Sequence, residues 1–145
     1  MNSNYFINNN KTIKDALYSL EKNKQKCLIV LDKNSKFFGT LTDGDVRRAI
    51  LTNANINNIV KPYVRKKSFT IDEDKFKKLS IIQVEKLIND YSKKKIYLIP
   101  ILNKKGFVVN FIDKDIKKTE LNKVPLIVMA GGKGVRLRPF TDIFP

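Results

Sequence analysis

An internal repeat constrains the fold of this chain more than any other feature of its 145 residues. Each copy has the pattern of a helix, two short strands and a second helix, and the copies start about 70 positions apart. The first copy comprises a helix capped by Thr12, strands over residues 27–31 and 37–41, and a helix from Thr42 to about Leu51. The second comprises a helix face of Ile81, Val84, Ile88 and Tyr91, strands over 96–102 and 107–111, and a short helix from Asp113. The pattern predicts two similar α/β units in tandem.

A shift of about 70 positions aligns the two copies, apolar with apolar and acidic with acidic. It pairs Leu28 with Leu98, Ile29 with Ile99, Phe37 with Phe107, Asp43 with Asp113, Asp45 with Asp115 and Val46 with Ile116. The polar, basic segment 53–67 contains Pro62 and is expected to connect the copies, with one short strand near residues 68–71.

The absence of histidine excludes several kinds of chemistry. Without it, the chain cannot supply a Ser-His-Asp triad, a Cys-His dyad or a His-containing zinc site, and we expect no metal site. The one cysteine, Cys27, lies in an apolar run, which favours a buried and unreactive thiol in a reducing cytoplasm. The apolar runs are shorter than the ~18–20 residues that span a bilayer, so we expect a soluble, cytoplasmic protein with no membrane partner.

The formal charge of +15 raises the possibility of nucleic-acid binding. Only five of the 29 basic residues are arginines, however, and the lysines are scattered along the chain. The aromatic residues Phe37, Phe38, Tyr97, Phe107 and Phe111 lie in apolar, strand-like runs, where core packing is the simpler role. Base recognition favours arginine forks and exposed aromatic rings, so this pattern argues against nucleic acid as the partner.

One segment of the first copy combines the groups that a nucleotide requires. A strand that ends at Thr42 would present a hydroxyl, and the following helix would present free N–H groups, to a phosphate. Gly44 would allow close approach. Asp45 could accept hydrogen bonds from two ribose hydroxyls, and Arg47 or Arg48 could neutralise phosphate charge.

The same segment also has a purely structural interpretation. Thr42 or Asp43 would cap the helix, Asp45 would complement the helix dipole, and the two arginines would lie in solvent. The residues alone leave both interpretations open.

Residues 5–119 resemble a tandem pair of CBS (cystathionine-beta-synthase) domains, the Bateman module. The match rests on Gly39-Thr40-Leu41-Thr42-Asp43-Gly44-Asp45, which is similar to the family's Gly-x-x-Thr-x-x-Asp, inside a duplicated unit. The resemblance implies a mixed α/β (α+β) fold with small sheets flanked by helices, and CBS domains at 1–57 and 58–119. It also implies a homodimer and an adenosine nucleotide (AMP, ADP or ATP) held by Gly39, Thr42, Gly44, Asp45, Arg47, Arg48 and Asp115.

The second copy departs from this motif. With the shift of 70, the positions of Gly39, Thr42 and Gly44 hold Val109, Ile112 and Lys114, and only the acidic residue Asp115 is kept. We therefore expect the second site to be weak or absent. Pro100 matches the family's usual proline, and because proline lacks a donor we expect it near a sheet edge or strand end.

The last part of the chain, 120–145, has a different character. The apolar run 124–129 leads into Gly131-Gly132-Lys133-Gly134-Val135-Arg136-Leu137-Arg138-Pro139-Phe140-Thr141. A buried strand followed by a glycine-rich turn presents backbone donors to phosphate in open α/β sheets. Gly131, Gly132 and Gly134 would admit a triphosphate, and Arg136 would bind its oxygens.

This stretch strongly resembles the opening signature of sugar-1-phosphate nucleotidyltransferases, Gly-Gly-x-Gly-x-Arg-Leu-x-Pro-x-Thr. The resemblance implies the first strand and loop of a Rossmann-like domain. It also implies a parent enzyme in which a sugar-1-phosphate oxygen attacks the α-phosphorus of a nucleoside triphosphate and releases pyrophosphate, as in guanylyl transfer in surface-sugar biosynthesis. We expect the chain to be a fragment without complete catalytic residues, with Mg²⁺ needed only in the full-length enzyme.

The sequence thus predicts a regulatory, nucleotide-binding CBS pair attached to the start of a transferase domain. Two alternatives stay open: a ligand-free CBS dimerisation scaffold and a basic nucleic-acid-binding module.

Overall fold

The computed structural model describes residues 5–22, 24, 26–94 and 96–113, and these residues form two three-stranded sheets with helices. The first unit consists of β1 (Phe6–Asn8), α1 (Ile13–Lys22), β2 (Cys27–Leu31), β3 (Phe37–Thr42) and α2 (Asp43–Leu51). A 3-10 turn at Lys61–Tyr63 follows. The second unit consists of β4 (Ile71–Asp72), α3 (Glu73–Phe76), α4 (Ile81–Lys93), β5 (Leu98–Leu102) and β6 (Val108–Asp113). The predicted mixed α/β architecture is confirmed.

Both sheets have the same topology. The strand orders are β1-β2-β3 and β4-β5-β6; the first pair in each sheet is parallel and the second antiparallel. The edge strand β1 is the element that the sequence pattern missed, because three residues are too few to show an alternation of apolar and polar side chains.

The repeat is confirmed, but its offset within the strands is 71 rather than 70. Cys27 faces Thr42 in the first hairpin, and Leu98 faces Asp113 in the second, so both partners are displaced by 71 positions. The bulge after Val30 likewise returns after Ile101. The shift of 70 was misleading because neighbouring strand positions are similarly apolar, whereas strand pairing fixes which residue is equivalent.

The turn between the two strands of each hairpin repeats with the same offset. The Asp32 side chain accepts hydrogen bonds from the N–H groups of Asn34 and Lys36, which closes a tight turn. The Asn103 side chain does the same for Lys105 and Phe107 in the second copy.

The helices that cover the sheets obey the same offset. The packed stripe of α1 consists of Ile13, Ala16, Leu17 and Leu20, and that of α4 consists of Val84, Leu87, Ile88 and Tyr91. Ile81, predicted to belong to the α4 stripe, instead precedes it and is 61% exposed. The i, i+3, i+4, i+7 rule placed the stripe correctly from Val84 onwards and began it one turn too early.

Pro100 is buried in the central strand β5, against our expectation of an edge or strand end. The missing donor is tolerated because β4 pairs only with Ile101 and Leu102, so it does not extend alongside Pro100. On the other side Phe111 faces Pro100, and its N–H donates to the Asn110 side chain. The strand is therefore central in the sheet but locally an edge at the proline.

The two sheets meet through an apolar cluster that includes Cys27 and Ile29 of the first unit and Leu98 and Val108 of the second. Burial raises the pKa of the Cys27 thiol to about 12, so the thiol is protonated at neutral pH. The predicted burial of Cys27 is confirmed. In the described ranges, no helix is long and apolar enough to cross a bilayer.

Candidate functional site

A cleft opens beside the end of β3, where the first unit faces the segment that connects it to the second. Its inner compartment has a volume of about 310 Å³ and is lined mainly by side chains of mixed polarity from both units: Cys27, Thr40, Thr42, Arg65, Lys67, Ser68, Phe69, Ile96, Tyr97 and Leu98. Its outer compartment, of about 530 Å³, is strongly basic and is lined by Lys26, Thr42, Asp43, Gly44, Arg47, Arg48, Arg65, Lys94 and Tyr97. Thr42, Arg65 and Tyr97 line both compartments, so the two adjoin each other.

Thr42 and Asp45 form a reciprocal capping box at the start of α2. The Asp45 N–H donates to Thr42 Oγ1 at 3.1 Å, and the Thr42 N–H donates to Asp45 Oδ2 at 3.0 Å. The Thr42 hydroxyl proton is also directed at Asp45 Oδ2, at 2.6 Å. The predicted cap at Thr42 is therefore confirmed, and Asp45 completes it at the mouth of the cleft.

The other oxygen of Asp45 holds two arginines together. Arg48 donates to Oδ1 at 2.6 Å, and Arg65 donates to the same atom at 2.9 Å. With the two bonds from Thr42, the carboxylate accepts four hydrogen bonds, about its full capacity. Burial of Asp45 opposes ionisation, but the bonds from Thr42, Arg48 and Arg65 outweigh it and lower the pKa of this carboxyl from its ordinary value.

Some of the N–H groups expected to face a phosphate are already used. The Asp43 N–H donates to the Lys26 carbonyl at 3.2 Å, and that of Asp45 donates to Thr42. Arg47 is paired with Asp43 at 2.8 Å. The positive character of the cleft therefore comes chiefly from its lysine and arginine side chains.

The two predicted glycines have different roles. A Cβ on Gly39 would lie 2.6 Å from both the Arg65 carbonyl oxygen and Val64 Cγ1, so Gly39 lets the connecting segment pack against β3. Gly44 lines the outer compartment, and a Cβ there would make ordinary contacts with the Arg48 guanidinium, at 3.5 Å, and with Thr42 Oγ1, at 3.8 Å. Of the two, Gly44 alone borders the cleft.

Arg65 is a site residue that sequence reasoning missed. It belongs to the connection, but its N–H and carbonyl pair with those of Thr40, which extends the sheet by an isolated bridge and brings its side chain to Asp45. Lys26 and Tyr97, which flank the cleft, were also missed. The sequence around these residues carries no local signal, because strand pairing brings Lys26 and Arg65 beside Thr42 and the packing of the two units brings Tyr97 there.

The equivalent region of the second unit is covered by Tyr5. Its ring packs on Phe111 with centroids 4.5 Å apart, and its hydroxyl donates to Asp113 at 2.5 Å. With the offset of 71, Phe111 and Asp113 occupy the positions of Thr40 and Thr42. A buried carboxylate and an aromatic side chain therefore replace the polar lining of the first cleft.

The residue equivalent to Tyr5 in the other sheet is Phe69, and it does not cover the first cleft. Ile7 and Ile71 occupy equivalent sheet positions, so two residues earlier Tyr5 corresponds to Phe69. The Phe69 ring turns towards Tyr91, with centroids 4.2 Å apart. The two clefts therefore differ in the direction of this aromatic side chain: Tyr5 covers the second cleft, whereas Phe69 packs against Tyr91.

This register also corrects the comparison of the two motifs. Asn110 and Asp113, rather than Val109 and Ile112, are equivalent to Gly39 and Thr42. Asp115 lies outside the described residues, as do the helix predicted after Asp113 and the loop residues Gly131, Gly132, Gly134 and Arg136. Within the described ranges, no cluster of three or more cysteine, aspartate or glutamate side chains is arranged to hold a metal ion.

Residues 1–52 match the family model of the CBS domain. The paired sheets, in addition, match solved structures of CBS domain pairs. The described part of the chain has the fold of a CBS domain pair. One such structure is the CBS domain pair of protein MJ0100 in complex with 5'-methylthioadenosine and S-adenosyl-L-methionine, with 21% identity, a TM-score of 0.61 and coverage of 80% of this chain and 85% of that one.

Two further solved structures share this fold. The CBS domain protein PAE2072 from Pyrobaculum aerophilum, complexed with AMP, has 14% identity and a TM-score of 0.58 over 74% of this chain and 78% of that one. CbpB in complex with c-di-AMP has 16% identity and a TM-score of 0.60 over 80% of this chain and 73% of that one.

A sequence relative is an uncharacterized protein of Helicobacter pylori, 32% identical over 76 residues, which are 52% of this chain. The chain spans only 22% of the length of that protein.

Proposed function

We propose that the CBS domain pair is a regulatory module that binds one adenosine nucleotide (AMP, ADP or ATP) in the open cleft of its first copy. The observation that carries this proposal is the pair of adjoining compartments beside Thr42, one with aromatic side chains for a base and the other with basic side chains for phosphates. Its compartments fall in the size range of small-molecule sites, roughly 300–1,000 Å³. Neighbours of the same fold are described in complex with AMP, S-adenosyl-L-methionine and c-di-AMP.

In this proposal the residues that line the cleft have separate tasks. Tyr97 and Phe69 are the aromatic groups available to a base, and Asp45 is the acceptor available to ribose hydroxyls. Because Asp45 already accepts four hydrogen bonds, ribose has to displace Arg48 or Arg65, and the displaced guanidinium is then available to phosphate. Thr42, Gly44 and Arg47 border the phosphate end, Gly39 acts through Arg65, and Asp115 stays a candidate from sequence.

A thermal-unfolding screen against AMP, ADP, ATP, GTP, CTP and UTP tests the proposal. A ligand at ~100 times its dissociation constant adds ~2.7 kcal/mol to the free energy of unfolding, which raises the melting temperature by several degrees. We expect a shift with adenine nucleotides and its loss in the variant Thr42→Ala/Asp45→Ala.

A matched control distinguishes the loss of ligand binding from the loss of a helix cap. Thr12 and Asp15 form the same reciprocal bonds at the start of α1, outside both compartments, so Thr12→Ala/Asp15→Ala removes an equivalent cap. This variant should melt at a lower temperature but keep the full ligand shift. Equal shifts in both double variants, or no shift with any adenine nucleotide, would count against the proposal.

We further propose that the module regulates a sugar-1-phosphate nucleotidyltransferase whose domain begins near residue 120. The support is the sequence of residues 131–141, with Gly131, Gly132, Gly134 and Arg136 as the triphosphate-binding loop and Mg²⁺ required by the complete domain. The test is an assay of a longer protein that contains this segment, with sugar-1-phosphates and nucleoside triphosphates, for pyrophosphate release that depends on Arg136 and changes when an adenine nucleotide is added.

A dimerisation scaffold is the second candidate function, and it has an observation of its own. Helices α1 and α2 leave Tyr18 and Leu51 exposed, at 66% and 81%, and Tyr18 lines a groove of about 700 Å³. A second copy of the chain would bury these side chains in a two-fold contact. This role predicts sedimentation at twice the chain mass, and sedimentation as a single chain in the variant Leu51→Lys. Together with no response to nucleotides, these results would favour dimerisation over ligand sensing.

A further inference from the structure

The outer compartment of the cleft contains more positive charge than a monophosphate requires. Six basic side chains line the two compartments, and two carboxylates, those of Asp43 and Asp45, lie against them. The six are Lys26, Arg47, Arg48, Arg65, Lys67 and Lys94. This excess of cations over carboxylates is the starting point for a preference among adenosine ligands.

The excess is concentrated on three lysines. Asp43 is paired with Arg47, while Asp45 is shared between Arg48 and Arg65. Lys26, Lys67 and Lys94 form no ion pair with a carboxylate in the part of the chain that the structure describes.

Two of these lysines are held near the mouth of the cleft by aromatic rings. The Lys26 ammonium lies 5.7 Å from the centroid of Tyr97, and the Lys94 ammonium lies 5.7 Å from that of Tyr91. Such contacts direct a cation without neutralising it. Both lysines line the outer compartment, on opposite sides of the two-unit boundary.

Side-chain cations discriminate between ligands differently from a helix N-terminus. The N–H groups of Asp43 and Asp45 are used within the fold, so no preformed backbone cradle for a single phosphate group is provided by them. Attraction to separate ammonium and guanidinium groups grows with each negative charge that the ligand brings. The outer volume of about 530 Å³ leaves room beyond one phosphate group.

We infer that this cleft selects adenosine nucleotides with two or three phosphates over AMP, and over adenosyl ligands that carry no phosphate. The inference rests on the proposed function, since it assigns the ligand class of the same cleft. Lys26 and Lys94 are the specificity-determining residues, because they supply unpaired charge at the phosphate end.

Calorimetric titration with adenosine, AMP, ADP and ATP in magnesium-free buffer tests this preference. We expect ATP to bind at least ~10-fold more tightly than AMP, and adenosine more weakly than both. In Lys26→Gln/Lys94→Gln, ATP affinity should fall ~10-fold while adenosine affinity changes less than ~2-fold.

The control variant is Lys22→Gln/Lys36→Gln. These two lysines make the same kind of ring contact, with Tyr18 and Phe107, and lie outside the cleft, so the variant removes the same net charge. It should keep the ATP preference. A loss of preference equal to that of the cleft variant would overturn the assignment to Lys26 and Lys94.

The outcomes separate failure of this inference from failure of the proposed function. Equal affinities for adenosine, AMP and ATP would overturn the preference and leave adenosine-nucleotide binding intact. No binding of any adenine compound would overturn the proposed function itself. Inorganic tripolyphosphate binding as tightly as ATP would also overturn it, because the adenosine would then contribute nothing.

Discussion

Asp45 illustrates how one side chain can serve both the fold and the proposed site. Its carboxylate completes the cap of α2 through Thr42 and joins the connection to the first unit through Arg65. The sequence identified Thr42 and Asp45 correctly as a pair that matters, but it could not show that Arg65 would be their third partner. That contact depends on a bridge between Thr40 and Arg65, 25 positions apart along the chain.

Replacing Asp45 by Asn should lower the free energy of unfolding by about 1–2 kcal/mol at pH 7, because a charge-assisted cap and two arginine bonds are weakened. The folded-state pKa of Asp45 is lowered, so the stability that its charge contributes is present above the unfolded-state pKa of about 3.9. That contribution is lost as the pH falls through the folded-state pKa. Urea denaturation between pH 7 and pH 3 should show the two proteins converging in acid.

Asp15→Asn provides the comparison for this prediction. Asp15 caps α1 in the same reciprocal way with Thr12 but has no arginine partner among the described ion pairs. At neutral pH, Asp15→Asn should therefore lower the free energy of unfolding by less than Asp45→Asn does. If the two variants behave alike across the pH range, the arginines contribute nothing to the Asp45 effect.

Gly39→Ala tests the close contact between β3 and the connection. The added Cβ would overlap the Arg65 carbonyl and Val64, and the backbone has to move, so we expect a loss of about 1–3 kcal/mol in urea denaturation. Gly44→Ala is the control: its Cβ has space, and alanine favours a helix, so stability should be unchanged or higher. A neutral Gly39→Ala would argue against the Thr40–Arg65 bridge.

At the level of elements, the repeat was predictable and its register was not. Periodicity gave α1, α2, β2 and β3 nearly to the residue, because each combines apolar spacing with a capping or turn signal. It misplaced the offset by one position, and with it the residue equivalent to Thr42. Only hydrogen-bonded pairing distinguishes adjacent apolar positions in a short strand.

The equivalent turns of the two hairpins allow a prediction about backbone strain, because one has serine and the other glycine at the same position. Ser35 has φ +59° and its equivalent Gly106 has φ +83°, so both turns require the left-handed region. Ser35→Gly should leave stability unchanged or raise it by up to about 1 kcal/mol, and Gly106→Ser should lower it by about 1 kcal/mol, in thermal unfolding. A loss of stability in Ser35→Gly together with a gain in Gly106→Ser would contradict the equivalence of the turns.

The edge strand β1 positions the residue that covers the second cleft. Tyr5→Phe removes the hydrogen bond to the buried Asp113, so we expect a loss of about 1–3 kcal/mol in urea denaturation. The change Tyr18→Phe, at a side chain that is 66% exposed, should have no measurable effect. Equal stability of both variants would show that the Tyr5 hydroxyl does not hold the second cleft closed.

At the scale of the whole molecule, the described residues form a pseudo-symmetric pair whose two clefts are chemically unequal. The first is bordered by unpaired lysines, while in the second Tyr5 packs on Phe111 and donates to the buried Asp113 carboxylate. The sequence predicted a weak second site from the missing Thr and Gly, but the closing residue precedes both copies of the motif and carries no pattern of its own. Packing between the sheets determines that arrangement.

We propose that one adenosine nucleotide binds in the first cleft and none in the second. Two-dimensional amide NMR of the ¹⁵N-labelled chain during an ATP titration distinguishes the two clefts residue by residue. We expect saturable shifts at Thr42, Gly44, Arg65 and Tyr97 with one equivalent bound, and unchanged signals for Phe111 and Asp113. Shifts of equal size around Asp113, two bound equivalents, or no saturable shift at the first cleft would contradict it.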